Sequence, residues 1–229
     1  MFVRMLRLPE AVKAKYDLSS LVHVIHGAAP CPPDAKAAMI EWWGDVIFEY
    51  YGSTEAGIVS VATSADAVAK PGTVGRPLDG TIVRVYDDDA NELPHGESGE
   101  IYMSMNDLSD FTYHNKDDKR VEIEREGLVT NGDVGYLDGD GYLFLNDRKR
   151  DMIISGGVNI YPAEIEAALQ GMPGVQDCAV FGIPHDEFGE SIAAAIETLP
   201  GVTLTPDAVK DYLRGHISAY KVPREVTFH

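Results

Sequence analysis

Over the first fifty residues, short apolar runs alternate with stretches of helical periodicity. Leu21-Val22-His23-Val24-Ile25 and Val46-Ile47-Phe48-Glu49 read as strands, each preceded by a helix, and the small-residue turn Gly27-Ala28-Ala29-Pro30 follows the first. Apolar strands alternating with helices predict a mostly parallel, buried sheet. The turns at Gly27 and at Tyr51-Gly52-Ser53-Thr54 then fall at strand carboxyl ends. Open α/β sheets place their ligands there.

From about Pro71 to Asp147 the period changes to two. Thr81 to Tyr86 and Gly99 to Met105 alternate faces, and Asp87-Asp88-Asp89-Ala90-Asn91 and Asp138-Gly139-Asp140-Gly141 sit where hairpin turns belong. This predicts an antiparallel β unit. The acidic Asp138–Gly141 stretch lacks the spacing of a calcium loop, so a turn is the better reading. After Arg150 a compact α/β tail follows: strand Met152 to Ser155, a glycine turn, helix Ala163 to Gln170, strands Asp177 to Ile183 and Ser191 to Glu197, and helix Asp207 to Ile217. Pro162 stands at a favoured first helical position, and Thr205 is a good N-cap. The fold class expected is α/β plus antiparallel β, with a parallel α/β sheet and a β subdomain in residues 1–148 and a small α+β domain in residues 149–229.

Composition narrows the function classes. The 229 residues are 45% hydrophobic and 24% charged, with 22 glycines and 13 prolines spread along the chain, as in a globular protein. No apolar run approaches the roughly 20 residues of a membrane helix, and the start lacks a secretory signal. A cytoplasmic protein with no integral membrane association is expected. A net charge of −18 argues against nucleic acid or an anionic membrane as partner, but not against a nucleotide in a local pocket. Cys31 and Cys178 form no spacing pattern and read as core thiols, and the seven histidines form no metal-binding cluster.

Tyr50-Tyr51-Gly52-Ser53-Thr54-Glu55-Ala56-Gly57 is the most informative stretch. Gly52 lets the chain approach a ligand closely, Ser53 and Thr54 offer donors suited to phosphate, and Tyr51 offers a flat face for a base. Glu55 beside them would repel phosphate unless a divalent cation lay between. On pattern alone the stretch reads slightly better as a polar turn between core elements. Asp133 alone reads as a hairpin-turn aspartate, Arg148 as a solvated charge, and Ser155-Gly156-Gly157 as a plain glycine turn.

Four ordered segments shift that balance: His26 to Pro30, Tyr51 to Gly57, Thr130-Asn131-Gly132-Asp133-Val134-Gly135, and Asp147 to Asp151 running into Ile154-Ser155-Gly156-Gly157-Val158-Asn159-Ile160-Tyr161-Pro162. With Gly75-Arg76-Pro77 and Gly96 to Glu100, they make the chain resemble, nearly end to end, the adenylate-forming superfamily of acyl-CoA synthetases, peptide-synthetase adenylation domains and luciferases. The resemblance is nearest to bacterial fatty-acid– or acid–CoA ligases. It implies the C-terminal portion of a large AMP-binding domain followed by a small mobile domain, with ATP, Mg²⁺ and CoA as cofactors or co-substrates and a carboxylic acid as substrate. Gly27, Ala28 and Ala29 would line the adenine pocket and Tyr51 would stack on the ring. Gly52, Ser53 and Thr54 would flank the phosphates, with Thr54 on the α-phosphate and Glu55 on Mg²⁺. Asp133 would accept both ribose hydroxyls, and Arg148 would donate to ribose or phosphate. Asn131 departs mildly, since the family usually has serine or threonine there. Arg150 would be the hinge, and Ser155, Gly156 and Gly157 would edge the pantetheine tunnel.

Two family features are missing from these residues. No Ser/Thr/Gly-rich phosphate loop ending in lysine occurs, and no Gly-Lys catalytic signature follows Tyr220 to Glu225. Such a lysine supplies the electrostatic stabilisation that usually dominates catalysis, and Lys221 occupies a different motif position. The 229 residues are therefore expected to be inactive alone. The expected substrate is a medium- or long-chain fatty acid, with aryl, alicyclic or sterol-type acids close behind. The alternatives are a peptide-synthetase adenylation domain, which Asp151 to Gly157 disfavours, and a non-catalytic truncated binding module; a homo-oligomer is left open.

Overall fold

In a computed structural model that describes residues 1–106 and 109–229, the chain forms two units, Met1–Leu145 and Asn146–His229. The first begins with α1 (Phe2–Leu6), α2 (Glu10–Lys13), β1 (Val24–His26), α3 (Pro33–Trp43), β2 (Ile47–Ser53), β3 (Gly57–Thr63), α4 (Ser64–Ala69) and β4 (Arg76–Pro77). The strands form a sheet in the order β1-β2-β3-β4. Pro33 opens α3, where its fixed φ and missing N–H are harmless, and the helix buries Lys36 and Met39. With α3 as crossover, β1 and β2 pair in parallel, placing His26 beside Glu49. β2 and β3 are antiparallel, because the three residues between them cannot make a crossover of a dozen or more. The expected parallel character is thus confined to β1–β2. A capping box between Thr63 and Asp66 starts α4.

The same unit continues with β5 (Thr81–Tyr86), β6 (Gly99–Met105), α5 (Asp117–Glu122), β7 (Glu124–Arg125), β8 (Leu128–Leu137) and β9 (Leu143–Arg148), the last crossing into the second unit. Their sheet order is β5-β6-β8-β7, with β9 on β8. β5 and β6 lie where the period-two pattern places them. β8 runs through Thr130-Asn131-Gly132-Asp133, so Asp133 stands in a strand and not in a hairpin turn. Asp138 does form the β8–β9 turn: its Oδ1 accepts the N–H groups of Asp140 and Tyr142, each at 2.9 Å. Lys70 Nζ donates to Asp138 and Asp140 at 2.7 and 2.6 Å. Lys70 thus bridges the two carboxylates of this turn. Tyr51, Val59, Val85, Ile101, Met103 and Leu143 share one buried core.

The second unit contains β10 (Ile153–Ser155), β11 (Val158–Ile160), α6 (Pro162–Gln170), β12 (Val175–His185), β13 (Gly189–Thr198), α7 (Pro206–Arg214) and β14 (Glu225–Phe228). Its sheet order is β11-β10-β13-β12, with β14 parallel to β13. Gly156 and Gly157 have φ of 58° and 79°, and Ser155 pairs with Val158. Two successive positive φ values suit a two-residue hairpin, so the glycine turn returns the chain as β11 before the helix. α6 and α7 place Ile165, Leu169, Val209 and Leu213 in a core with Ile153, Ile160 and Ile196. Thr205 caps α7, accepting from Ala208 N at 3.2 Å.

Candidate functional site

The end of the β2–β3 hairpin concentrates the polar groups of the first unit. A Cβ on Gly52 would lie 2.0 Å from the Gly57 carbonyl oxygen, and the register shifts between Tyr51 and Gly52. The strands therefore close tightly there only because position 52 has no side chain. Ser53 Oγ accepts the Ala56 N–H at 3.0 Å, which secures the turn and leaves its O–H free to donate. Thr54 is exposed at the tip, and Glu55 beside it is half-buried.

Two side chains remote in sequence reach this turn. The Tyr51 hydroxyl donates to Asp133 Oδ2 at 2.8 Å, across 82 positions. Tyr51 is only 8% exposed, so the bond fixes a half-buried carboxylate against a core aromatic. The Tyr113 hydroxyl donates to Glu55 Oε1 at 2.8 Å. Next to β2, the segment after β1 carries Gly27, Ala28 and Ala29. A Cβ on Gly27 would lie 2.7 Å from Tyr50, and Ala28 holds φ at 67°. A non-glycine residue there costs on the order of 1 kcal/mol, and such strain gathers at functional sites.

Behind β1 and β2 lies a charged group that pattern reading does not find. Lys36 Nζ donates to Glu49 Oε2, with both side chains nearly buried, and His26 Nδ1 lies 3.8 Å from Glu49 Oε1. His26 Nε2 is buried without a hydrogen-bond partner. Burial first, and Lys36 second, push the His26 pKa down to about 4, so the imidazole is neutral near pH 7. The signal available in sequence was Lys36, three residues before Met39 on the buried face of α3. Tyr113 offered no such signal, because it lies outside any periodic element.

The other expected residues belong to the second unit. Arg148 ends β9 and is exposed. Arg150 is exposed in the following turn, its Nε 3.5 Å from Asp151 Oδ1. Asp147 accepts from Arg148 N at 2.7 Å and, with its other oxygen, from Ala163 N at 2.9 Å. Ser155 and Gly156 border a concavity of about 490 Å³ that also includes Phe188, Lys210, Arg214 and Arg224. Gly157 completes the adjacent turn. The Arg224 guanidinium stacks 4.4 Å from the Phe188 ring.

The structure thus brings Gly52, Ser53, Thr54 and Glu55 onto one turn and joins Tyr51 to Asp133. Within this group, a two-oxygen carboxylate, hydroxyl donors and a closely approached backbone suit a sugar phosphate. Among the described residues no cluster of three or more His, Cys, Asp or Glu could hold a metal. Glu55 has a second oxygen beyond the one engaged by Tyr113. That fits a hard divalent ion such as Mg²⁺, which needs one or two carboxylates plus substrate phosphates.

Residues 1–109 match the family described as AMP-binding enzyme, and residues 164–229 match the AMP-binding enzyme C-terminal domain. A feruloyl-CoA synthase of Amycolatopsis sp is 39% identical over 213 residues, covering 93% of this chain and 43% of that protein. A long-chain-fatty-acid–CoA ligase of Bacillus subtilis is 33% identical over 229 residues, covering 99% of this chain and 40% of that protein. The crystal structure of ATP-bound MatB from Rhodopseudomonas palustris superposes with a TM-score of 0.87 at 31% identity, over 100% of this chain and 45% of that one. The chain spans about two fifths of the length of the curated relatives it matches.

Proposed function

The chain belongs to the AMP-binding enzyme family, and from that membership we propose that it is part of an ATP-dependent acid–CoA ligase. A carboxylate attacks the α-phosphorus of ATP, expelling pyrophosphate and leaving an acyl-adenylate. The CoA thiol then displaces AMP and carries away the acyl group. The names of the similar proteins, a feruloyl-CoA synthase and a long-chain-fatty-acid–CoA ligase, support thioester formation. Medium- or long-chain fatty acid is the proposed substrate, with aryl acids next.

The observation that carries this reading is the Tyr51–Asp133 bond at the base of the Gly52–Glu55 turn. Asp133 receives the ribose hydroxyls with its two oxygens, Tyr51 holding the carboxylate in place and facing the base. Gly27, Ala28 and Ala29 edge the adenine. Ser53 and Thr54 donate to phosphate, Thr54 to the α-phosphate, where charge builds as the carboxylate adds. Glu55 holds Mg²⁺, which when bound offsets phosphate charge. Arg148 supplies a cation to ribose or phosphate. We assign residues 149–229 as a small domain that turns about Arg150, so that Ser155, Gly156 and Gly157 border the pantetheine in the second step.

Among the described residues no helix is long and apolar enough to cross a membrane. The proposed location is the cytoplasm. There Cys31 and Cys178, held by burial up to about 11 and about 12, stay as inert thiols. ATP–pyrophosphate exchange with a panel of carboxylates tests the ligase reading. The expected result is no exchange above background by these 229 residues alone, and acid-dependent exchange by the full-length protein. Silence of the full-length protein with every acid defeats the assignment.

A further inference from the structure

Tyr113 has no role in the scheme above, yet it makes a direct side-chain contact with Glu55. Its hydroxyl donates to Glu55 Oε1 at 2.8 Å from 58 positions away. The segment that presents it is braced. The Tyr113 ring packs edge-on against Phe111, with centroids 5.6 Å apart, and the Arg120 guanidinium lies 4.7 Å from the Phe111 ring. Arg120 also donates to Asp110 at 3.2 Å and to Glu124 at 2.6 Å.

A glutamate side chain loses rotamer freedom when it is fixed. A donor that fixes it beforehand spares a ligand that cost. Because Tyr113 engages one carboxylate oxygen, the other is left for a cation. We propose that Tyr113 is a positioning residue whose hydroxyl orients the Glu55 carboxylate for the divalent cation that accompanies the nucleotide. This rests on the assignment of Glu55 as the cation ligand. Partners of metal-ligating side chains change metal affinity by about 10–100-fold when removed.

Tyr113→Phe removes one oxygen and keeps the ring that packs on Phe111. In the full-length enzyme, exchange is measured against free Mg²⁺ for wild type, Tyr113→Phe and Glu55→Gln, at saturating ATP and acid. Mn²⁺ binding in the presence of AMP is followed in parallel by electron paramagnetic resonance, without turnover. Tyr113→Phe is expected to raise the half-saturating Mg²⁺ concentration and the Mn²⁺ dissociation constant by about 10-fold, with a much smaller change in kcat. An unchanged cation requirement in Tyr113→Phe, whatever its activity, overturns the proposal. If Glu55→Gln shifts that requirement and Tyr113→Phe does not, only the role of Tyr113 fails. If neither does, the assignment of Glu55 fails with it.

Discussion

The buried group around Glu49 shows how single residues set the acid response of the first unit. His26 has its pKa depressed from 6.5 to about 4, mainly by burial and then by Lys36. The unfolded chain therefore binds this proton more readily than the folded one. The stability contributed by neutral His26 is complete above about pH 6.5 and is lost as pH falls towards 4. Thermal unfolding from pH 7 to 4 should show a falling midpoint in wild type and a shallower fall in His26→Gln; parallel slopes would contradict this. Lys36 itself pairs with one oxygen of Glu49 and also reaches the Thr73 carbonyl at 3.4 Å. Residue-level reading of the sequence found the turn residues Gly52 to Glu55, because glycine and hydroxyl groups declare their chemistry locally. It could not find the Tyr51–Asp133 or Tyr113–Glu55 bonds. Those depend on tertiary closure over 82 and 58 positions.

Among the elements, α6 has an N-terminus capped from afar. Its N-cap residue Tyr161 makes no side-chain capping bond, and Asp147 Oδ2, 16 positions upstream, accepts the Ala163 N–H. A carboxylate at this end also meets the favourable pole of the helix dipole. Asp147→Ala should destabilise the second unit by about 1 kcal/mol, within a range of roughly 0.5–2, while Asp147→Asn, which keeps an acceptor, should recover most of it. Urea denaturation followed by far-ultraviolet circular dichroism measures both, and equal losses in the two variants would rule out the cap. The elements themselves were unevenly legible. β5 and β6 follow their alternation, and α6 and α7 follow Pro162 and Thr205 to within a few residues. β8 was hidden because Asn131-Gly132-Asp133 has turn composition, yet the pairing with β6 shifts register to admit it. β10 and β11 are three residues each, too short for periodicity to separate a hairpin from a loop.

At the scale of the whole molecule, each unit closes its own core. Ile153, Ile165, Leu169, Ile196 and Leu213 of the second unit pack with one another, and Tyr51, Val59, Ile101 and Leu143 do so in the first. A charge of −18 spread over the chain repels anions at long range. The nucleotide site proposed at the Gly52–Glu55 turn therefore relies on short-range donors. Separate cores predict separable stability. Leu169 is fully buried, and Leu169→Ala removes three heavy atoms from the second core, costing about 2–5 kcal/mol. Because no described first-unit side chain belongs to that cluster, differential scanning calorimetry of the 229 residues should resolve two transitions, with only one moved to lower temperature by Leu169→Ala. If the variant instead shifts a single transition for the whole chain, the units share their cooperativity and the second cannot turn as an independent body. The domain motion assigned to Arg150 requires that independence, so this measurement bears on the two-step reaction without any turnover.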